Sequence, residues 1–208
     1  MKPEEIYQES FRLIRERLGP GGAGETEGQI VERIIHATAD WDFASAMQFD
    51  PRAVPEALHA LTRQAAVIGD VRMALAGFDQ TLMQELGVRA WCYVDGKMAQ
   101  SEALAAGATR SAMGIRRAAE IHGNGAVVVV ANAPTALFEV VAQIQQGWRP
   151  AVVIGVPVGF VMAKESKVAL INNGVVPYIA NPTPKGGSPV AAAIVNALLR
   201  MAAGRDPW

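Results

Sequence analysis

The chain has a single cysteine, Cys92, so no intramolecular disulfide holds it together. That residue lies in the apolar stretch Val88–Val94 and reads as a small buried hydrophobe suited to a reducing compartment. An excess of charge of one sign is also missing, since 19 basic and 20 acidic side chains leave a net charge of −1. Such a balance offers no field to recruit nucleic acid, so an anionic ligand has to be met by local Arg, Lys or backbone N–H groups. Apolar runs such as Ala126–Ala131 fall far short of the ~20 residues a membrane helix needs. Met1–Arg15 alternates charged with apolar positions and lacks the apolar core of a signal peptide. The expectation is a soluble, cytoplasmic chain with neither nucleic acid nor membrane as partner.

Several signatures are absent as well. Gly123-Asn124-Gly125 precedes an apolar run, where a dinucleotide fingerprint would follow one, and no Gly-Lys-Ser/Thr phosphate loop occurs. His36, His59 and His122 have no metal-ligand spacing, and no Gly-x-Ser-x-Gly elbow appears. The expectation is therefore no bound metal and no dissociable cofactor.

What is present is an ordinary globular composition, half hydrophobic and 19% charged, over 208 residues, which suits one domain across 1–208. Pro3 fits a first helical turn, and Tyr7, Phe11, Ile14 and Leu18 follow at helical spacing. Gly19 to Gly24 should form a loop before a second helix over Glu27–Ala39, on which Arg33 and His36 emerge from one face. A third helix is expected from Pro55 to Gln64. Five short apolar runs then alternate with helical stretches: Ala65–Ile68, Val88–Val94, Ala126–Ala131, Ala151–Val156 and Val175–Ala180. The intervening helices are expected over Ser101–His122, Pro134–Gln146, Ala163–Asn172 and Ser188–Met201. This alternation predicts a three-layer α/β/α fold with a mostly parallel five-stranded sheet. A loose tail is expected over Gly204–Trp208.

In such sheets ligands bind beyond the carboxyl ends of the strands. The segments to search are Gly69-Asp70, Asn132-Ala133-Pro134-Thr135, Pro157-Val158-Gly159 and Pro184-Lys185-Gly186-Gly187-Ser188. Ser188 before Pro189 reads as a helix cap. His36 is the histidine of chemical interest because imidazole titrates near neutrality, although a lone histidine is more often structural than catalytic. His59 and His122 fall at helix-surface or helix-end positions and receive no role. Residue spacing alone leads only to a soluble α/β domain with an anion-friendly crevice.

Six segments, taken together and in order, resemble the precorrin-8X methylmutase family. They are Arg33-Ile34-Ile35-His36-Ala37-Thr38-Ala39-Asp40, Thr109-Arg110-Ser111-Ala112, Asn132-Ala133-Pro134-Thr135-Ala136-Leu137-Phe138, Gly155-Val156-Pro157-Val158-Gly159-Phe160-Val161, Lys164-Glu165-Ser166-Lys167 and Lys185-Gly186-Gly187-Ser188. The resemblance implies a flavodoxin-like fold and a homodimer. It also implies an isomerase that moves a methyl group from C-11 to C-12 of a tetrapyrrole, precorrin-8X or cobalt-precorrin-8. Carried over residue by residue, it makes His36 the acid and Ser10, Arg33, Thr109 and Arg110 substrate-binding residues. The chain departs from the family pattern at Ala131, where Gly is common, and at Met162-Ala163-Lys164, which replaces a smaller pattern. Two other readings stand beside it. One is a flavodoxin-like electron carrier, against which Gly69-Asp70-Val71-Arg72-Met73 lacks the Ser/Thr-rich phosphate loop. The other is a corrinoid-binding or channelling protein without turnover, against which His36 argues.

Overall fold

Val127–Val130 forms a strand of four valines with every residue buried, which requires cover on both faces. The computed structural model describes residues 2–19, 26–94, 103 and 107–206. Around that strand lies a six-stranded sheet. The strands are β1 (Gln48–Phe49), β2 (Val67–Gly69), β3 (Ala90–Trp91), β4 (Val127–Val130), β5 (Val152–Gly155) and β6 (Tyr178–Ala180). Their order is β1-β6-β5-β4-β2-β3. The five expected apolar runs each contribute one parallel strand. In the order β3-β2-β4-β5-β6 they give the doubly wound flavodoxin-like arrangement, with its switch point between β2 and β4. The sixth strand, β1, was not expected. It pairs antiparallel with β6 through Gln48–Ala180 and Phe49–Ile179.

Among the described residues the helices are α1 (Pro3–Leu18), α2 (Thr26–Thr38), α3 (Phe43–Ala46), α4 (Ala53–Thr62), α5 (Arg72–Ala76) and α6 (Gln80–Leu86), followed by α7 (Arg110–His122), α8 (Pro134–Gln145), α9 (Ala163–Asn173) and α10 (Ser188–Ala202). Side chains of β4 alternate between two cores. Val127 and Val129 join Ile34, Leu61 and Leu198 on the face covered by α2, α4 and α10. Val128 and Val130 join Ile115, Leu137 and Leu170 on the face covered by α7, α8 and α9. Burying a side chain of this size stabilises by roughly 1.5–3 kcal/mol, so the two cores dominate the fold.

Three local expectations need correction. Ser188 is the first residue of α10 and not its cap; Gly187 takes that place, and its N–H is donated to Val156 O at 2.8 Å. Cys92 is half-buried, in the run just past β3, the edge strand of the sheet. Thr109, expected inside a helix starting at Ser101, caps α7 by accepting from Ala112 N at 3.2 Å. Most of the glycine loop after Gly19, most of the segment from Ser101 to Ala106 and the last two residues of the tail lie outside the described residues.

Candidate active site

All the segments singled out beyond the strand ends do lie at one end of the sheet, and hydrogen bonds tie them together. At the switch point, the Asp70 carboxylate accepts from Ala131 N at 2.8 Å, Asn132 N at 2.9 Å and Ala133 N at 2.7 Å. Burial raises its pKa, opposed by these backbone N–H groups. The protein's own carboxylate thus occupies the spot where the free amides beyond β4 would otherwise meet a phosphate. This weighs against a flavodoxin-type phosphate site there.

A second connection runs across the other two loops. Lys167, fully buried on α9, donates from Nζ to Pro157 O at 2.9 Å and Lys185 O at 2.8 Å. With two carbonyls and no carboxylate in its hydrogen-bonding set, burial lowers its pKa to about 8. The side chain of Lys185 reaches the other way, to Asp40 Oδ2 at 2.7 Å and Asp42 Oδ2 at 2.6 Å. This pair holds the Asp40 carboxyl below its ordinary pKa, chiefly through that hydrogen bond. The loop that follows α2 is therefore fastened to the loops after β5 and β6.

On α2 the expected pair, Arg33 and His36, faces α1. Ser10 Oγ lies 2.8 Å from His36 Nδ1. The His36 ring stacks on Phe11 with centroids 4.8 Å apart and meets Tyr7 edge-on at 5.1 Å. Arg33 donates from Nη1 to Tyr7 Oη at 2.9 Å. Although His36 retains an exposed edge, desolvation on its packed side lowers its pKa, and repulsion from Arg33 lowers it further. The resting ring is neutral near pH 7. The contact admits two arrangements: Ser10 donates to Nδ1 and the ring proton sits on Nε2, or a protonated Nδ1 donates to Ser10 Oγ.

Ser10, Arg33 and His36 are thus one cluster. Thr109 and Arg110 belong to another. Thr109 Oγ1 lies 2.7 Å from Thr135 Oγ1, at the start of α8, so the amino end of α7 stands over the carboxyl end of β4 with Arg110 exposed. Among the described residues Arg110 makes no hydrogen bond or ion pair with Ser10 or His36. The concavity beside the histidine cluster, about 420 Å³, runs along α1 between Tyr7 and Glu16. A larger one, about 740 Å³, lies against β3 and away from the histidine, with Arg72, Arg89 and Cys92 on its wall. The remaining histidines lie elsewhere: His122 Nε2 is 2.8 Å from Tyr93 Oη, and His59 is exposed on α4.

Sequence reading missed Tyr7, Phe11 and Lys167. Tyr7 is three residues from Ser10 and four from Phe11, spacings that make it a neighbour of both on the surface of α1. Their apolar spacing made them look like core alone. Lys167 carried no signal beyond its motif, because nothing in a sequence distinguishes a buried lysine from a solvated one.

A doubly wound sheet with a histidine backed by a serine and an arginine, and with Asp70 closing its switch point, defines an α/β protein that lacks the phosphate cradle of the flavodoxins there. The comparisons with known proteins narrow this. The profile of the precorrin-8X methylmutase family matches residues 5–201, and the chain belongs to that family. It is 36% identical to the cobalt-precorrin-8 methylmutase of Leptospira interrogans over 96% of this chain and 94% of that one. It is also 36% identical to the precorrin-8X methylmutase of Pseudomonas aeruginosa, over 93% of each chain. A crystal structure of precorrin-8X methyl mutase from Thermus thermophilus superposes with a TM-score of 0.86 at 35% identity, covering 96% of this chain and 98% of the other. Among the described residues no helix is long and apolar enough to cross a membrane.

Proposed function

We propose that this protein moves the C-11 methyl group of precorrin-8X or cobalt-precorrin-8 to C-12, giving hydrogenobyrinate or cobyrinate. His36 is the group that holds or delivers the proton. The observation that carries this reading is the 2.8 Å contact of Ser10 Oγ with His36 Nδ1, on a ring stacked against Phe11. It fixes the imidazole plane, and when Ser10 donates to Nδ1 the ring proton is on Nε2, free to be given to the ligand. A 1,5-shift of methyl rearranges bonds without net oxidation, so it calls for no redox partner. It calls for polarisation of the conjugated ring, and a hydrogen bond or proton at a ring nitrogen supplies that.

Arg33, Arg110 and Thr109 bind the acetate and propionate fringe of the tetrapyrrole, and Ser10 joins them when its one hydroxyl proton turns from His36 Nδ1 to a substrate carboxylate, leaving Oγ to accept from Nδ1–H. Each arginine offers a planar fork to a carboxylate. Desolvation is the larger cause of the lowered His36 pKa and repulsion from Arg33 the smaller one, and a carboxylate docked on Arg33 offsets only the latter. The chain works as a cytoplasmic homodimer in this reading.

The test is His36→Ala. Turnover should fall by ~10²–10⁴-fold, the usual contribution of one positioned acid, while corrinoid still binds through the arginines. Turnover, corrinoid uptake and thermal midpoint are measured on one preparation. A folded variant with near-normal turnover would remove His36 from the mechanism. A wild-type protein that binds corrinoid without converting it would support the channelling role instead.

A further inference from the structure

The segment after β5 exposes four large apolar side chains in a row of five residues: Val158 45%, Phe160 97%, Val161 78% and Met162 49%. Loops are ordinarily polar at their tips, and the free protein forgoes the stabilisation that burying these side chains would bring. The backbone beneath the tip is firmly held. Gly159 N donates to Pro184 O at 3.0 Å, and Ser166 N to Met162 O at 3.0 Å. Lys167 clamps Pro157 O at the base of the segment. Met162 sits at φ +63, a left-handed conformation that side-chain-bearing residues rarely adopt. The fold thus keeps an apolar tip pre-set in solvent.

The location identifies what covers it. The tip stands at the carboxyl end of β5, one strand from the switch point. Lys167 and Lys185 connect its base to Asp40 and Asp42, four and six residues beyond His36. The apolar tip and the histidine therefore share one end of the sheet and one set of fastened loops. The ligand proposed for that end is a broad conjugated ring with a carboxylate rim. Its rim suits arginines and its face suits an aromatic ring and branched aliphatic groups.

We propose that Phe160 and Val161 form a preorganised apolar platform against which one face of the tetrapyrrole lies. The platform rests on the methylmutase reading and assigns it a specificity element: it selects ligands with a large unsaturated face over carboxylate-rich molecules that lack one.

The test compares wild type, Phe160→Ser, the double variant Phe160→Ser/Val161→Ser, and Phe160→Tyr, with cobyrinic acid as the probe, titrated by absorbance. Because Phe160 is almost wholly solvent-exposed, its loss should leave the thermal midpoint unchanged. The Kd for cobyrinic acid should rise tenfold or more in Phe160→Ser and further in the double variant, with affinity regained in Phe160→Tyr. Sedimentation velocity should give the same mass for all four proteins. Equal Kd values across the set overturn the platform while leaving the methylmutase reading intact. A lowered mass in the serine variants also overturns it and makes the tip a contact between copies of the chain. Failure of the wild type both to bind and to convert would defeat the methylmutase reading and the platform with it.

Discussion

Raising the pH from neutral to mildly alkaline should strengthen this fold, and Lys167 is the reason. Its amine is buried between two carbonyl oxygens, at 2.9 Å and 2.8 Å. A neutral amine has two N–H bonds to give, so both contacts survive deprotonation, while the third proton of the ammonium form meets no carboxylate. Burial accordingly lowers its pKa from 10.5 to about 8. Between those two values the unfolded chain binds a proton that the folded chain does not, so stability rises with pH across that window. The full difference is worth about 3 kcal/mol at 1.36 kcal/mol per pH unit, and about 2 kcal/mol of it accrues between about pH 7 and about pH 9.5. The assay is urea unfolding of wild type and Lys167→Met at both pH values. The pH-dependent change in the variant is subtracted from that in wild type. Subtraction removes the contributions of Tyr93 and Lys185, whose raised pKa values pull stability down at the upper end of the range. Whatever the absolute stability of the variant, the difference should be about 2 kcal/mol in favour of wild type at the higher pH. Parallel changes in the two proteins would refute the account of Lys167 as a buried, easily deprotonated clamp.

Two backbone substitutions should move stability in opposite directions. Met162→Gly removes a side chain from a left-handed residue and should stabilise by about 0.5–1 kcal/mol, read as a higher urea midpoint, the strain relieved being partly offset by glycine's larger loss of freedom on folding. Gly186→Ala places a methyl group 2.2 Å from Val156 O at φ +151, where neither backbone segment can yield, and should destabilise by about 3 kcal/mol or more in the same assay.

How much was legible in the sequence depended on whether a feature was local. The five parallel strands were readable because each is a short apolar run; β4, buried on both faces, is an unbroken series of valines. The two residues of β1 carry no such pattern and become a strand only by pairing with β6. Helices α5 and α6, with 5 and 7 residues, are too short to establish a period. In the candidate site, the shared face of Arg33 and His36 followed from their spacing on one helix. Ser10 and its neighbours Tyr7 and Phe11 lie on a different helix, 22 to 29 residues away from that pair. Only the packing of α1 on α2 shows the hydroxyl meeting the imidazole. The segment-by-segment family resemblance named Ser10 without giving any physical reason for it. Nor could spacing alone reveal that Asp70 would close the switch point with its own carboxylate.

The support for His36 comes from a helix with modest anchorage. In α1 the fully buried apolar side chains are Phe11 and Ile14, while Ile6 and Leu13 face solvent. In α10, by contrast, Val190, Ile194, Leu198 and Leu199 all lie in the core. Local opening of α1 therefore costs far less than global unfolding, and each opening strips the imidazole of its hydroxyl, its stacked ring and the phenol that steadies Arg33. In practical terms, bulky sequence joined ahead of α1 would tug on the helix that tunes the histidine. An affinity handle or fluorescent reporter belongs instead after α10. Backbone amide exchange in α1 should then be the first signal to slow when a ligand seats against His36, well before any change is visible in the central sheet.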